Sequence, residues 1–173
     1  AGSWYKAAVV ITKTETILYI NGKEMARTVR DYTISDVLDA DSIMQIGKAN
    51  LAGGKIFKGA IDNFKITGHA MTENEALAEA SAYAEGSLPE ILADFTFDDT
   101  EKGFAGGAAV ANGSYSFRDH DDGKAIYLDG WRDFLKVTKA DGSPLVSGGL
   151  LKEMTISLQV KKEGGTGWAL YAA

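Results

Sequence analysis

The acidic side chains are the first candidates for chemistry, because glycoside hydrolysis needs two carboxyl groups about 5–10 Å apart in a cleft. Two acidic groups stand out: Asp98, Asp99 and Glu101 beside a glycine-rich stretch, and Asp119, Asp121 and Asp122 in a turn. Turns favour aspartate because its carboxylate bonds nearby backbone N–H groups. The two histidines, His69 and His120, are far apart, and neither lies near a serine or cysteine nucleophile motif. We therefore interpret the acidic groups as solvated turn residues and expect no catalysis from this segment.

Aromatic rings are the second candidates, because a flat ring face stacks on a sugar while neighbouring polar groups bond its hydroxyls. Trp4 and Trp168 lie in strand patterns, which favours core positions. Trp131 differs, since an Asp-Gly pair precedes it and an Arg-Asp pair follows it. This setting predicts a strand end, where the ring is either a loop platform or the edge of the core. The glycan-binding candidates are Trp131 and, on weaker grounds, Tyr115 and Tyr32.

Composition limits the class of protein. With 173 residues, of which 45% are apolar and 24% charged, the chain can bury one substantial core. A net charge of −6 without a basic stripe argues against nucleic acid as a partner. No apolar run approaches the roughly 20 residues that span a bilayer, so we expect no membrane span. The chain has no cysteine and hence no disulfide, which does not identify its compartment.

The elements that must position these residues are β-strands. Twenty glycines, two prolines and many short apolar runs are typical of an all-β protein rich in turns. The Asn21-Gly22 pair favours the positive φ angles of a tight hairpin turn. Turns are also expected at residues 121–123, 141–142 and 163–165. The predicted strands are residues 4–12, 16–20, 23–29, 42–47 and 60–66, then 91–97, 114–118, 125–128, 134–137, 155–161 and 168–172.

One helix is predicted between these two runs of strands. Thr72 and Glu75 have the spacing of a capping box, and the apolar helical face after them stops before Gly86. The sequence Gly-Ser-Leu-Pro at residues 86–89 then breaks the helix. We therefore divide the chain into a first segment, residues 1–86, a linker, residues 87–91, and a second segment, residues 92–173.

The order of the motifs is the most specific feature. Residues 59–66, Gly-Ala-Ile-Asp-Asn-Phe-Lys-Ile, with the capping box after them, resemble the closing strand and helix of a laminin-G-like, concanavalin A-like jelly-roll module. Such modules are attached to secreted bacterial glycoside hydrolases. Residues 92–99, Leu-Ala-Asp-Phe-Thr-Phe-Asp-Asp, resemble the opening strand, and residues 123–130 and 154–160 resemble the segments that follow it. The chain thus resembles this family with the C-terminal half ahead of the N-terminal half.

The resemblance implies an all-β fold, a concanavalin A-like antiparallel β-sandwich (jelly roll) with one short helix. It also implies that strands of the family are missing between residue 173 and residue 4. A lone copy would then expose unpaired strand edges. We therefore expect either a homo-oligomer that exchanges strands between chains, or a sequence that is part of a longer protein.

The resemblance further implies a structural calcium ion where the first and last strands of the sandwich meet. Carboxylate and carbonyl oxygens are the ligands that Ca²⁺ prefers. The ligands would be Asp62 on the closing strand, Asp94 on the opening strand and the carbonyl of Gly130. The alternative is that Asp62 caps a neighbouring turn or pairs with Lys65.

The function implied is a non-catalytic carbohydrate-binding or spacer module of a secreted bacterial carbohydrate-active enzyme, with a polysaccharide or glycan as partner. Two other classes stay open. An unbroken apolar loop surface would favour an adhesion or scaffold module that binds protein. Turnover of a polysaccharide, abolished by removal of one carboxylate, would favour a glycoside hydrolase fragment.

Overall fold

A computed structural model describes residues 2–36, 42, 44–48, 56–73, 91–98, 108–121, 123–138, 143, 145, 153–165 and 170–172. These residues form twelve strands and one 3-10 turn, Ile34–Asp36. In chain order the strands are β1 (Tyr5–Ile11), β2 (Glu15–Ile20), β3 (Lys23–Val29), β4 (Met44–Ile46), β5 (Phe57–Thr67), β6 (Ile91–Phe95), β7 (Ala108–Asn112), β8 (Ser116–His120), β9 (Gly123–Asp129), β10 (Phe134–Thr138), β11 (Met154–Gly165) and β12 (Leu170–Ala172). Within this part of the chain no helix is long and apolar enough to cross a membrane.

The strands form two antiparallel sheets. The large sheet has the order β3-β2-β1-β11-β5-β9-β8, and the small sheet has the order β12-β4-β10-β7. β5 pairs with β9 through residues 58–61 and with β6 through residues 64–67, so two strands share one of its edges. This architecture confirms the predicted concanavalin A-like β-sandwich. The predicted helix, beyond Glu73, and residues 87–90 of the predicted linker lie outside the described residues, whereas the last linker residue, Ile91, begins β6.

Strands of the two predicted segments alternate within both sheets. β11, from the second segment, lies between β1 and β5 of the first. β4, from the first segment, lies between β10 and β12 of the second. Strands of the two segments therefore complete the same sheets within one chain, and the reversed order of the family's halves stays a prediction. The strand-exchanged oligomer and the segment boundaries stay predictions.

Every predicted strand overlaps an observed one, and the Asn21-Gly22 turn has the expected positive φ angles of 50° and 75°. Two boundaries were wrong. The predicted turn at residues 163–165 is strand, and the strand predicted to begin at residue 60 begins at Phe57, because Gly164 pairs with Lys58 and Gly165 with Phe57. Gly59 lets β5 lie close to β11, because a Cβ at this position would lie 2.1 Å from the carbonyl oxygen of Lys161. β7, in the glycine-rich stretch, was not predicted.

The main core lies between the two sheets. Its fully buried members include Ile46 and Leu135 from the small sheet and Ile61, Phe64, Ile126 and Leu128 from the large sheet. A second apolar cluster, formed by Ala8, Val10, Ile17, Tyr19 and Met71, lies on the opposite face of the large sheet. Alternation along β1 explains this, since Ala7 and Ile11 pack on the main core and Ala8 and Val10 belong to the second cluster. We call this second face the outer face.

Candidate glycan-binding site

The loop at residues 130–133, here called the Trp131 loop, joins β9 to β10 at the end of the large sheet where β5 begins. The pairing of Asp129 with Lys58 fixes this position. The side chain of Trp131 is 72% exposed. The sequence left open whether Trp131 lies exposed on a loop or packs at the edge of the core. In the structure it faces solvent.

The backbone on both sides of Trp131 is held by carboxylates. Asp133 is only 1% exposed, and its two oxygens accept the N–H groups of Ser114 at 2.6 Å and Asp129 at 2.9 Å. The carboxylate of Asp129 in turn accepts the N–H of Trp131 at 2.7 Å. These bonds tie the Trp131 loop to the segment before β8. The sequence analysis treated Asp133 only as a polar neighbour, because no sequence signal shows that it is buried.

Gly130 turns the chain into this loop. Its φ of 84° lies in the left-handed region that favours glycine, and a Cβ there would lie 2.6 Å from Cβ of Lys58. The conformation and the close approach to β5 together explain the glycine. Lys58 itself is exposed beside the loop.

Tyr115 lies at the same end of the sheet as Trp131. It follows Ser114, which Asp133 binds, and it precedes β8. Its ring is 36% exposed and meets the ring of Phe117 edge-on, with centroids 5.8 Å apart. The structure thus brings two of the three predicted aromatic residues to one end of the molecule.

Tyr32 lies at the opposite end. The guanidinium of Arg30 is 5.3 Å from the centre of its ring and donates to the carbonyls of Thr12 and Glu15, where β1 ends and β2 begins. Ile11 pairs with Met154, at the end of the ladder far from Lys58. Tyr32 therefore cannot share a contact surface with Trp131.

The three predicted calcium ligands do not converge. Asp94 forms an ion pair with Lys65 at 3.1 Å, and Gly130 lies against Lys58. Asp62 stands between these positions on β5, roughly 10 Å along the strand from Lys65 and roughly 13 Å from Lys58, at about 3.3 Å per residue. Among the described residues no group of three histidine, cysteine or acidic side chains has a metal-binding arrangement. This ligand set does not fit one calcium ion, and calcium binding itself stays a prediction.

Asp62 is instead engaged by His120, an interaction that the sequence analysis missed. Oδ2 of Asp62 lies 2.6 Å from Nδ1 of His120, and Oδ1 accepts the N–H of Asn63 at 2.7 Å. The ring of Trp4 stacks on the imidazole, with centroids 3.7 Å apart. Burial raises the pKa of Asp62, and the hydrogen bond with His120 acts against this rise. Fifty-eight residues separate the pair, so only strand pairing reveals it.

The comparisons with known proteins agree with this architecture. A laminin G family model, described as the concanavalin A-like lectin/glucanases superfamily, matches residues 1–76. The matched part contains β1 to β5. No curated protein and no solved structure matches the chain. The superfamily match associates the fold with carbohydrate-binding and related modules.

Proposed function

We propose that this chain is a non-catalytic carbohydrate-binding module and that Trp131 is its glycan platform. The observation that carries the proposal is that Trp131, a residue that is 72% exposed, lies on a loop whose backbone is held by hydrogen bonds. Covering an exposed indole with the apolar face of a sugar is favourable, because it removes apolar surface from water. A loop that is already ordered loses little conformational entropy on binding.

Polar groups beside the ring suit sugar hydroxyls. Arg132 and Asp129 are exposed neighbours of Trp131 in the chain, and Lys58 lies against the turn at Gly130. Arginine and lysine donate hydrogen bonds, and a carboxylate accepts them. An aromatic face with donors and acceptors at its rim supports binding of an extended polysaccharide.

The superfamily match supports carbohydrate binding, and the sequence resemblance alone supports an accessory role in a secreted bacterial carbohydrate-active enzyme. Two carboxylates on the large sheet are already engaged, Asp62 by His120 and Asp94 by Lys65. This supports a binding role over hydrolysis, for which two carboxyl groups must face one substrate. Release of reducing sugar from any polysaccharide, abolished by replacing one carboxylate, would contradict the non-catalytic part of the proposal.

The test is affinity electrophoresis in gels that contain arabinan, galactan, xylan or β-glucan. We expect Trp131→Ala to lose retardation in the polysaccharide that retards the wild type, with affinity lower by about tenfold or more. Tyr32→Ala is the matched control, because it removes an exposed aromatic ring at the opposite end of the sheet. Equal retardation of Trp131→Ala and the wild type in all gels would contradict the proposal.

A further inference from the structure

A groove of about 280 Å³ opens on the outer face of the large sheet. β1, β11, β5 and β6 contribute its residues, and Tyr19 and Met71 of the second apolar cluster close one side. None of residues 129–133 lines it, so it is separate from the Trp131 loop. Its volume is near the lower end of the range for ligand pockets, about 300–1,000 Å³. The size suits one sugar residue better than a long chain.

Among the polar side chains that line the groove, those of Asn63, Ser157 and Gln159 make no hydrogen bond within the part of the chain that the structure describes. Ser157 and Gln159 are two positions apart on β11 and therefore face the same side of the sheet. The register shifts between them, with Ser157 opposite Lys65 and Gln159 opposite Asp62. Asn63 belongs to this bulge and lies between the two. A β-bulge redirects a side chain, and bulges are common beside binding sites.

The backbone of the bulge is held by Asp62. Asn63 has a φ of 48°, and its N–H is held by the carboxylate of Asp62, which His120 holds in turn. Asp62 is also the register partner of Gln159. Asp62 is therefore next to Asn63 in the chain and opposite Gln159 in the strand ladder. We assign it a positioning role.

The charges that line the groove are engaged within the protein. Lys65 and Asp94 form an ion pair at 3.1 Å, and Lys6 has its own interaction in the protein. A charged ligand would have to break an existing pair or lose hydration without compensation. The groups that can bond a ligand include the amides of Asn63 and Gln159 and the hydroxyl of Ser157. Ala8 and Met71 add apolar surface.

We propose that this groove is a second binding site, which takes a single neutral sugar residue. The amides of Asn63 and Gln159 and the hydroxyl of Ser157 bond its hydroxyl groups. The apolar face of the sugar rests beside Met71. This site is independent of the Trp131 platform.

Two-dimensional ¹⁵N–¹H NMR of the whole chain tests both sites at once, because side-chain amides and indole N–H groups give separate signals. Galactose, arabinose, xylose and glucose are titrated singly, with glucuronate and glucosamine as charged probes. We expect at least one neutral sugar to shift the side-chain amides of Asn63 and Gln159. Ser157→Ala and Gln159→Met should each lower the affinity for that sugar by about fivefold. Asn63→Gly, which keeps the left-handed backbone accessible, should do the same.

Ser116→Ala is the matched control, an exposed serine on β8 outside the groove, and should leave the affinity unchanged. Shifts at the Trp131 indole alone would overturn the groove site and leave the proposed function standing. Shifts at the two amides alone would support the groove site without supporting the platform. Shifts with only a charged probe, or with no probe, would overturn the inference.

Discussion

At the scale of single residues, His120 joins two groups on the outer face. Its imidazole bonds the carboxylate of Asp62 and stacks against the ring of Trp4. His120→Ala would leave Asp62 buried without its partner and open a void against Trp4. An unsatisfied buried polar group costs about 1–3 kcal/mol, and more if it is charged, and the void adds to this cost. We expect the free energy of unfolding to fall by about 3 kcal/mol in urea titrations.

His69→Ala is the matched control for this prediction. His69 is only half-buried, and its backbone carbonyl, which accepts the Thr155 hydroxyl at 2.6 Å, survives the substitution. We expect this variant to lose about 1 kcal/mol or less. Equal losses in the two histidine variants would refute the special role of the Asp62–His120 pair.

Asp133 is the corresponding residue under the Trp131 loop. Asp133→Ala removes the acceptor of two backbone N–H groups, those of Ser114 and Asp129. An unsatisfied buried donor costs about 1–3 kcal/mol, so we expect a loss of about 3 kcal/mol together with weaker polysaccharide retardation. Asp119→Ala, which breaks only an exposed ion pair with Lys124, should leave the stability nearly unchanged. Unchanged retardation in Asp133→Ala would show that the loop does not need this support.

At the scale of elements, the stability that the 3-10 turn Ile34–Asp36 contributes depends on pH. The Asp36 carboxylate accepts the N–H of Thr33 at 2.6 Å and its hydroxyl at 2.7 Å, and these bonds lower the pKa of Asp36. A carboxyl group with a lowered pKa adds stability above its unfolded pKa of about 3.9, and this stability is lost as the pH falls through the folded pKa. We expect Asp36→Ala to be less stable than the wild type above about pH 4.

Thermal melts from pH 2 to pH 7, in steps of about one unit, check this sign. The difference in melting temperature between Asp36→Ala and the wild type should shrink as the pH falls below about 4. A difference that stays constant, or grows in acid, would assign the stabilisation to something other than the ionised carboxylate.

The strands and the Asn21-Gly22 turn were predictable because apolar alternation and turn chemistry are local properties of the sequence. The fold class followed from the same pattern. The site was less predictable. Exposure of Trp131 was one of two alternatives, and the pairing of Asp62 with His120 depends on strands far apart in the chain. The groove depends on a bulge at Asn63, which shows only when β5 and β11 are in register. Glycine in β11 suggested a turn, whereas Gly164 pairs with Lys58 and continues the ladder.

At the scale of the molecule, the two predicted segments are interdependent. β11 has both of its neighbours, β1 and β5, in the first segment, and β4 has both of its neighbours in the second. A closed monomer and a strand-exchanged dimer would contain the same strand pairs. Light scattering distinguishes them, since the monomer has a mass of 18.4 kDa and the exchanged dimer has twice this mass.

The interleaving makes a further prediction for the separated segments. Residues 1–86 alone would leave β1 and β5 without the strand between them, and residues 92–173 alone would leave β10 and β12 without β4. Each fragment would expose main-core residues and unpaired strand edges, so neither should unfold cooperatively on heating. Mixing the two should restore the strand signal in circular dichroism, a single melting transition and the polysaccharide binding of the whole chain. A matched mixture in which the second fragment carries Ile156→Asp, a charge at a buried position of β11, should not recover. If either fragment alone melted cooperatively with the binding intact, that segment would be a module in its own right, and the pairing of β11 with both β1 and β5 would be contradicted.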